Sequence, residues 1–535
     1  MSDLGAFDFI IVGAGSAGCV LANRLSADGR HTVLLLEAGG ADTNPWIHIP
    51  LGYGKLFNDP KVNWLYKTTP QPGLNDRIIN QPRGKVLGGS SSINGLVYVR
   101  GQHEDFDGWR QQGNVGWGFD DVLPFFKRAE DQARGTDAWH GQGGPLPVSD
   151  QSEPHPLCDA FITAAEQAGH PRNPDFNGAT QEGAGYYQTT SRHGLRVSSA
   201  VAYLNPAKRR PNLTIVTKAH AGRIRLDGRR AAGVEWTVEG RPFHASASRE
   251  VVLSAGAIGS PQLMQLSGVG PGALLHGVDI PVIHDLKGVG DDLQDHLQVR
   301  MVMRSTRAFT FNDDMRNPFR MALVGLKFAL QRRGPLTVSA GYAGAFLKTD
   351  PALSLADTQI HFINFSTTKM GDRLHDFSGF TASACQLRPE SRGTLKIVSR
   401  DPSVQPAIDP NYLATETDRR VTIGGLKVLR DILRQPTIAP FVAAEVEPGL
   451  ECMSDEQLLA YCRASGSTIY HPTCTARMGA DPGAVVDARL RVHGLTGLRV
   501  ADGSIMPSVL SGNTHAGIVM IAEKAAAMIL EDAQA

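Results

Sequence analysis

Residues 7–39 read FDFIIVGAGSAGCVLANRLSADGRHTVLLLEAG, and this stretch decides how the rest of the chain can be interpreted. An apolar strand ends at Val12 and is followed by Gly13-Ala14-Gly15-Ser16-Ala17-Gly18 and a segment of helical composition. A second apolar run, residues 32–36, ends on Glu37. Strand, glycine turn, helix, second strand and terminal acid together form the G-x-G-x-x-G fingerprint of a dinucleotide-binding unit.

The three glycines and the acid of this unit have separate expected roles. Gly13 permits the tight turn, Gly15 lets the backbone approach a pyrophosphate, and Gly18 lets the helix pack closely on the strand. The helix N-terminus offers free N–H groups and a partial positive charge to the phosphates. Glu37 can accept hydrogen bonds from both ribose hydroxyls of an adenosine, and it would repel a 2′-phosphate, which disfavours NADP.

Composition narrows the class of protein further. The chain has 535 residues, enough for two to four average domains or one large interleaved fold, and 41% of them are hydrophobic. Lys plus Arg and Asp plus Glu both number 53, so the net charge gives no reason to expect nucleic acid as a partner. We see no signal peptide, no apolar stretch long enough for a transmembrane segment, and no C-x-x-C pair among the six cysteines. These features predict a cytoplasmic protein, with peripheral contact at a membrane left open.

Two further glycine-rich turns follow along the chain. Residues 84–95 read GKVLGGSSSING, and residues 255–261 read AGAIGSP directly after the apolar strand 250–254. Small residues allow the backbone to touch a flat ligand, and serine hydroxyls can donate to phosphates or ring carbonyls. Three such turns suit a long, extended dinucleotide such as FAD. Between the second and third turns we predict three hairpin strands of an inserted antiparallel layer, at 213–218, 222–226 and 233–239.

Residues 298–460 change to a pattern of alternating strands and helices. The predicted strands are 298–304, 358–365, 380–388 and 393–398, and the predicted helices are 319–332 and 418–434. This pattern indicates a second domain with an antiparallel sheet and helices on one face. The fold class is therefore α/β plus antiparallel, a Rossmann-type domain with an interleaved antiparallel-sheet domain.

The C-terminal part again has the sequence pattern of the first domain, a strand followed by a turn and a helix. A strand at 498–501 ends at Asp502-Gly503, and Asn513 is predicted to cap a nearly all-apolar helix at 514–530. Such an apolar helix should be buried, so its positive N-terminal end should point into the interior. His515 lies in the first turn of this helix, and His471 lies in IYHPTCTARMG, residues 469–479. Taken singly, either histidine can be a structural residue.

Three of these motifs together resemble signatures of the glucose-methanol-choline (GMC) oxidoreductase family. They are residues 84–94, residues 256–270, and the His-Pro segment that runs through Met478-Gly479. They occur in the family's order, and the resemblance extends from Phe7 to Leu530. Within the family, the chain is most similar to bacterial choline-, sorbose- and alkanol-dehydrogenase-like members.

The resemblance implies that FAD binds in an extended pose. The glycines of the first turn would hold the pyrophosphate, Glu37 the adenosine ribose, residues 216–219 the adenine edge, residues 88–94 the isoalloxazine side, and Asp502-Gly503 the phosphate end. The cofactor-binding residues implied in this way are Gly13, Gly15, Ser16, Ala17, Gly18, Glu37, Ala38, Trp64, Gly84, Val86, Gly88, Gly89, Ser90, Asn94, Gly95, Val97, Ala219, Ala255, Gly256, Tyr470, Asp502, Gly503, His515 and Ala516. No metal site is expected.

The resemblance also implies catalytic roles for His471 as general base and for His515 as its partner beside flavin N5. Oxidation of an alcohol requires removal of the hydroxyl proton, and a neutral imidazole has a pKa suited to accept it. Ile93 stands where some family members carry a histidine bonded to the flavin, so FAD should be non-covalent here. His515 stands where many dehydrogenases of the family have asparagine and several oxidases have histidine. Cys474 receives no role.

The resulting prediction is an FAD-dependent alcohol dehydrogenase or oxidase that transfers a hydride to flavin N5 and yields an aldehyde or ketone. We expect an FAD-binding domain of residues 1–155, 195–297 and 463–535, and a substrate-binding domain of residues 156–194 and 298–462. The electron acceptor, whether oxygen, a quinone or a cytochrome, stays open. So do three rival functions: non-oxidative or photochemical chemistry on the same fold, an NAD-dependent dehydrogenase, and a non-catalytic flavin-binding module.

Overall fold

The computed structural model of the protein describes residues 2–369 and 371–534. Its first layer is a sheet whose core is parallel, with Ser2–Val12 between Val33–Leu36 and Arg241–Leu253. Leu213–Val216 and Leu498–Val500 extend this parallel core on its two sides. Ala219–Asp227 and Arg230–Val238 add an antiparallel hairpin along the first half of Arg241–Leu253.

The N-terminal unit has the predicted strand, turn, helix and second strand. Phe9 to Val12 pair in parallel register with Val33 to Leu36, and the helix Ser16–Leu25 connects the two strands. All four residues of the second strand are buried, as is usual for a parallel strand covered on both faces. The G-x-G-x-x-G turn therefore lies at the carboxyl edge of a parallel sheet, which is where this fold class binds ligands.

One of the three predicted hairpin strands belongs elsewhere. Leu213–Val216 runs parallel to Val33–Leu36, as an edge strand of the nucleotide-binding sheet, and not in an antiparallel layer. Its β-branched residues fit either setting, and only the pairing across nearly 180 intervening residues decides which one is adopted. The other two strands form the expected antiparallel hairpin.

The second layer is an antiparallel sheet that confirms the predicted fold class. Leu297–Ser305 and Thr358–Ile363 both pair with Gly379–Gln386, and Ala343–Leu347 lies beyond Thr358–Ile363. The remaining strands of this sheet are Gly183–Tyr186, Val442–Glu447 and Ser467–Thr468. Predicted strand 393–398 lies outside this sheet, because Thr394–Lys396 pairs with Ala407–Asp409 in a small hairpin that packs against Ile258.

The helix Glu416–Leu433 covers one face of the antiparallel sheet, together with Pro156–Gln167. The Thr415 side chain caps its N-terminus by accepting a hydrogen bond from the Asp418 backbone N–H. The other α-helices are Pro45–His48, Tyr53–Leu56, His103–Gln111, Phe119–Ala129, Asn205–Ala207, Gly256–Leu266, Gly272–Gly277, Phe311–Arg316, Pro318–Gln331, Asp455–Ser465 and His515–Gln534. The remaining short strands are Tyr66–Lys67, Asn80–Gln81, Glu130–Gln132, Leu146–Val148, Ser191–Arg192, Leu195–Arg196, Val269–Gly270 and His284–Asp285.

The C-terminal helix His515–Gln534 completes the nucleotide-binding layer. It packs against Ser16–Leu25 and Phe119–Ala129 in the main hydrophobic core. Arg24 and the fully buried Glu523 form an ion pair of 2.7 Å across this contact. In the part of the chain that the structure describes, neither this helix nor any other is long and apolar enough to cross a bilayer.

Candidate active site

Two adjoining cavities form one extended cleft between the sheets. Their volumes are about 1180 and 1160 Å³, space open to solvent included, which is ample for a large organic ligand. The first cavity lies over the glycine turn of the N-terminal unit, and the second lies beneath the antiparallel sheet. Ser16, Arg83, Ser90, Thr514 and Ile518 line both cavities, so a single long ligand can extend from one into the other.

The glycine turn has the shape that a pyrophosphate requires. Gly13 has φ +98°, and a side chain on Gly18 would place its Cβ 1.8 Å from the carbonyl oxygen of Gly13. Gly15 differs, because a Cβ on it would meet no protein atom closer than 3.9 Å and would project into the first cavity. Gly13 and Gly18 are thus required by the protein itself, whereas Gly15 leaves room for a ligand.

Glu37 lies at the edge of the first cavity, at the end of its strand. Its Oε2 accepts a hydrogen bond from the Ala14 backbone N–H at 2.9 Å, and its Oε1 accepts one from Gly39 at 2.7 Å. Burial raises the pKa of this carboxyl group to about 7, against the opposing effect of the two N–H donors. The side chain is fixed in one orientation, with lone pairs left over for ligand hydroxyls.

The other two glycine-rich turns close the cleft. Gly89 approaches so closely that a Cβ on it would lie 2.6 Å from the Cα of Gly15. Asp502 connects the third turn to the C-terminal segment, since its Oδ2 accepts hydrogen bonds from the Gly256 N–H at 2.8 Å and from the Ser260 hydroxyl at 2.6 Å. The three turns therefore meet around one ligand-sized space, although they are far apart in the sequence.

Most of the predicted cofactor-binding residues line this cleft. Gly18, Val86, Gly88 and Ala516 line neither cavity; they are buried in the wall behind it. The positions that do line the cleft are Gly13, Gly15, Ser16, Ala17, Glu37, Ala38, Trp64, Gly84, Gly89, Ser90, Asn94, Gly95, Val97, Ala219, Ala255, Gly256, Tyr470, Asp502, Gly503 and His515.

A hydrogen-bonded chain behind His471 fixes the tautomer of its ring. His296 Nε2 lies 2.9 Å from the carbonyl oxygen of Leu387, and His296 Nδ1 lies 2.9 Å from His471 Nδ1. A carbonyl oxygen can only accept, so His296 Nε2 carries the proton and its Nδ1 accepts from His471 Nδ1–H. The Nε2 of His471 is then left with its lone pair, which is the arrangement of a proton acceptor.

The backbone of His471 is also held in place. Its N–H donates to Oδ1 of the buried Asp295 at 2.8 Å, and Asp295 Oδ2 accepts from the hydroxyl groups of Thr468 and Tyr412 at 2.6 and 2.5 Å. Tyr470, directly before it, has φ +71°. The loop is therefore set in one conformation by a buried network and not by Pro472 alone.

The side chain beside the free nitrogen of His471 belongs to Asn513. Its Nδ2 lies 3.4 Å from His471 Nε2, and its Oδ1 accepts a hydrogen bond from Gln359 Nε2 at 3.1 Å. The Gln359 contact orients the amide so that its NH₂ group faces the imidazole and the second cavity. The sequence predicts that Asn513 caps the C-terminal helix, but its side chain contacts Gln359 and His471 across the cleft instead.

His515 lies in a different part of the cleft, next to the glycine turn. Its Nδ1 is 3.1 Å from the Ser16 hydroxyl, and its buried Nε2 has no partner among the described residues. Both His515 and Ser16 line the second cavity. The structure thus brings His515 to the expected cleft, where its ring contacts Ser16, and it places Asn513 next to His471.

The histidines of the cleft are kept neutral. Burial, followed by the nearby His296, His361 and Arg83, lowers the pKa of His471 well below its usual value. Burial lowers the pKa of His361 and of His515 to about 4 in each case. A neutral imidazole at His471 is the form that can accept a proton.

Sequence reasoning missed three residues of this arrangement: Asn513 as a neighbour of His471, His296, and His361. His361 lies on the strand Thr358–Ile363 and lines the second cavity with both ring nitrogens unpartnered in the described structure. His296 and His361 stand in or next to strands of the second sheet, where nothing local marks them.

Cys474 is buried with φ +75°, a left-handed conformation that favours glycine. Across residues 2–369 and 371–534, no group of three His, Cys, Asp or Glu side chains could hold a metal ion.

Comparison with known proteins gives a consistent result. The N-terminal GMC oxidoreductase family model matches residues 7–298, and the C-terminal GMC oxidoreductase model matches residues 389–522. An "alcohol dehydrogenase [acceptor]" of Pseudomonas putida is 44% identical over 98% of this chain and 96% of its own length. A mitochondrial choline dehydrogenase of Mus musculus is 43% identical over 98% of this chain and 89% of its own.

Two solved structures are similar over the whole chain. Pyridoxine 4-oxidase from "Mesorbium loti" has a TM-score of 0.89 and 32% identity, with 97% of this chain and 98% of that chain covered. A formate oxidase variant from Aspergillus oryzae, solved for its effect on FAD modification, has a TM-score of 0.93 and 28% identity, with both chains fully covered.

Proposed function

The chain belongs to the GMC oxidoreductase family, and from this premise we propose that it is an FAD-dependent alcohol oxidoreductase that converts an alcohol into an aldehyde or ketone. The observation that carries the proposal is the neutral His471, whose free Nε2 faces the second cavity next to the amide of Asn513. A proton acceptor and a hydrogen-bond donor side by side suit a hydroxyl group that must lose its proton.

The residues of the cleft fit FAD. The first cavity offers the open backbone at Gly15 and the fixed carboxyl of Glu37 for the pyrophosphate and the ribose, and the cleft continues past Ser16 to His471. When bound there, FAD supplies the hydride acceptor at N5 of its isoalloxazine ring. The positive N-terminus of His515–Gln534 faces the same space and favours negative charge on a bound ligand. Ile93, which lines the second cavity, offers no nucleophile, so attachment is non-covalent.

We assign the proton transfer to His471. The substrate hydroxyl donates to Nε2, and His296 keeps accepting from Nδ1–H, so the ring stays in position as it becomes positively charged. Asn513 holds the substrate oxygen with its amide N–H as negative charge develops there. The partner of His471 in this scheme is Asn513. His515, beside Ser16, instead serves as a cofactor contact.

The decisive experiment is anaerobic bleaching of the purified holoenzyme with a panel of alcohols. We expect a yellow protein that releases its flavin into the supernatant on acid denaturation and loses its visible absorbance when mixed with at least one alcohol. A protein that stays yellow with every alcohol would contradict the proposal and leave a flavin-binding module or another flavin chemistry. A colourless protein that needs NAD would support the nicotinamide alternative. Admission of air then separates an oxidase, whose colour returns within turnover time, from a dehydrogenase.

Asn513→Ala is expected to slow flavin reduction by roughly 10–100-fold, the worth of a hydrogen bond to a charged group. His515→Asn should have a smaller effect, because the ring contacts Ser16 and not His471. Stopped-flow reduction of both variants with one good substrate, at matched FAD content, gives the comparison. A larger loss in His515→Asn than in Asn513→Ala would restore His515 as the partner of the base.

Glu37→Gln is expected to weaken FAD retention while leaving turnover in excess FAD. An amide has one acceptor oxygen, so it cannot satisfy both the Ala14 and Gly39 N–H groups, and it binds a ribose hydroxyl less strongly. At pH 8 or above, where a carboxyl group with a pKa of about 7 is ionised, the lost charge-assisted bond corresponds to roughly 1.5–3 kcal/mol. FAD content after gel filtration measures the effect, with Glu239→Gln on the exposed surface as the matched control. Equal flavin content in the two variants would remove Glu37 from the ribose site.

We further propose the division into an FAD-binding domain of residues 1–155, 195–297 and 463–535 and a substrate-binding domain of residues 156–194 and 298–462. The parallel sheet and the glycine turns support the first, and the antiparallel sheet supports the second, apart from its short strand Ser467–Thr468, which comes from the first domain. A cytoplasmic setting is proposed because all six cysteines are free. The acceptor named for the Pseudomonas putida relative is unspecified, and oxygen, a quinone and a cytochrome stay as candidates here.

A further inference from the structure

The second cavity contains polar groups that the proposed mechanism does not use. Arg300 and Tyr53 both line it, together with His471. The Tyr53 hydroxyl is buried and has no hydrogen-bond partner among the described residues. None of the ion pairs or side-chain hydrogen bonds of residues 2–369 and 371–534 involves the Arg300 guanidinium. The buried Tyr53 hydroxyl is a donor that is normally satisfied, and the half-buried Arg300 guanidinium presents an unpaired positive charge to the same cavity, so together they indicate a ligand that accepts hydrogen bonds there.

The strand Leu297–Ser305 sets the distance between these donors and the reacting end of the cavity. Successive side chains of a strand alternate between its faces, so His296, Gln298 and Arg300 point the same way. His296 supports His471, and Gln298 and Arg300 line the cavity. Arg300 is four residues beyond His296, which corresponds to roughly 13 Å along the strand. A ligand group held by the Arg300 side chain is therefore displaced along the cavity from a hydroxyl group held at His471.

The charged residues that line the second cavity determine whether a ligand group at Arg300 should be positive or negative. Arg83 and Arg300 line the cavity, and no aspartate or glutamate does so among the residues described. A quaternary ammonium group would meet two cations and no carboxylate, which is unfavourable in a largely enclosed site. A carboxylate would meet a planar guanidinium, which binds it through two parallel hydrogen bonds, and the Tyr53 hydroxyl beside it.

We propose that the preferred substrate is an alcohol that carries a carboxylate several carbons from its carbinol group, with Arg300 and Tyr53 as the carboxylate site. The inference rests on the proposed alcohol oxidation at His471 and names the class of alcohol. It sets this chain apart from its relatives named for choline, whose substrate is a cation.

The test compares kcat/KM for a series of ω-hydroxycarboxylates of increasing length with their methyl esters, with plain alkanols and with choline. We expect one chain length of the acid to exceed its ester by about tenfold or more, and choline to be the poorest substrate. Arg300→Met should remove the preference for acid over ester while leaving the ester unchanged within a few-fold. Arg304→Met, on the same strand but outside the cavity, should keep the preference.

Binding without turnover supplies a second readout. A simple alkanoate of the preferred length should inhibit competitively and perturb the flavin absorbance of the wild type, and it should do neither in Arg300→Met. If no alcohol bleaches the flavin, the proposed function fails. If alcohols bleach it but acid and ester are equal, or Arg300→Met lowers all substrates alike, the carboxylate site is wrong and the oxidation stands.

An independent observation concerns the outer surface. The helix Pro318–Gln331 exposes Phe319, Leu323, Leu326 and Leu330, at 71, 49, 54 and 74% of their surface. Their spacing of four, three and four residues puts all of them on one face of the helix. This apolar stripe, defined by these four side chains, extends about 16 Å along the helix.

The charges around the apolar stripe indicate what covers it. Residues 318–333 contain Arg320, Lys327, Arg332 and Arg333 and no acidic residue. Arg320, Arg332 and Arg333 take part in none of the ion pairs found in the described structure, and they are exposed. A basic helix with an exposed apolar face is typical of segments that lie in an anionic bilayer surface. A second copy of the chain that packed through the same face would instead bring like charges together.

We propose that the apolar stripe docks the protein on an anionic lipid surface. Val324, on the opposite side of the helix, packs in a cluster with Ile363, which lines the second cavity. Docking therefore holds the substrate side of the cleft near the bilayer.

Sedimentation of the holoenzyme with vesicles tests the docking. We expect binding to phosphatidylcholine vesicles that contain phosphatidylglycerol, weaker binding without it, and release by high salt. Leu326→Glu combined with Leu330→Glu should abolish binding at unchanged FAD content. Val115→Glu and Leu450→Glu, which alter exposed apolar residues elsewhere, should not. No vesicle binding by the wild type, or a wild-type dimer that the double variant converts to a monomer, would overturn the proposal.

Discussion

Replacing His471 with alanine is expected to slow flavin reduction by alcohol about 10²–10⁴-fold, the contribution of a positioned general base. The methyl group of alanine cannot accept the hydroxyl proton, and the free Nε2 of His471 is the acceptor that the His296 and Leu387 chain leaves available. The protein should stay yellow, because the glycine cradle and Glu37 belong to the other cavity. Anaerobic stopped-flow absorbance measures the rate directly.

His276→Ala, at an exposed position, serves as the matched control for loss of a histidine. Its reduction rate should equal that of the wild type. Activity of His471→Ala within tenfold of the wild type, at equal flavin content, would mean that another group accepts the proton. His361, which lines the same cavity, would then be the next residue to replace.

Gly15→Val is expected to abolish retention of FAD while the protein still folds. Gly15 has φ −79° and ψ −159°, outside the left-handed region that favours glycine, and the Cβ of the added carbons would meet no protein atom closer than 3.9 Å. They do project into the first cavity, where the pyrophosphate needs direct contact with the backbone. The purified variant should therefore be colourless but show the far-ultraviolet circular dichroism of the folded chain.

Gly18→Val is the informative contrast. Its Cβ would collide with the Gly13 carbonyl, so this variant should lose folded yield together with the cofactor. Gly108→Val, in the helix His103–Gln111 where a Cβ would meet no atom within 4 Å, should retain both. A yellow, active Gly15→Val protein would place the pyrophosphate elsewhere in the cleft.

The sequence predicts the fold well where the signal is local. The glycine turn, the buried parallel strands and the helix Glu416–Leu433 follow from residue types within a few turns of chain, and the structure confirms them. For Leu213–Val216 the sequence predicts the wrong partner, because strand pairing depends on contacts between distant segments and β propensity does not encode it. The same limit applies to 393–398, a strand that pairs outside the large sheet.

The residues of the site also differ in whether a local sequence pattern marks them. His471 could be found because a histidine before proline in a recognisable segment is a local pattern. Asn513 was visible in the sequence but was interpreted as a helix cap, a role that local sequence makes reasonable for asparagine. Only the tertiary structure brings Gln359 and His471 to its side chain. His296 fixes the tautomer of His471 from 175 residues away, and no periodicity marks it.

The closure of the nucleotide-binding layer by residues 498–534 has a consequence during synthesis. The glycine turn is translated first, but the strand Leu498–Val500 and the helix that packs on Ser16–Leu25 follow nearly 500 residues later. At ribosomal rates of about 5–20 residues per second, that interval is roughly 25–100 s. During this time the apolar faces of the first unit lack their final cover, so chaperone binding to the nascent chain and late acquisition of the cofactor are to be expected.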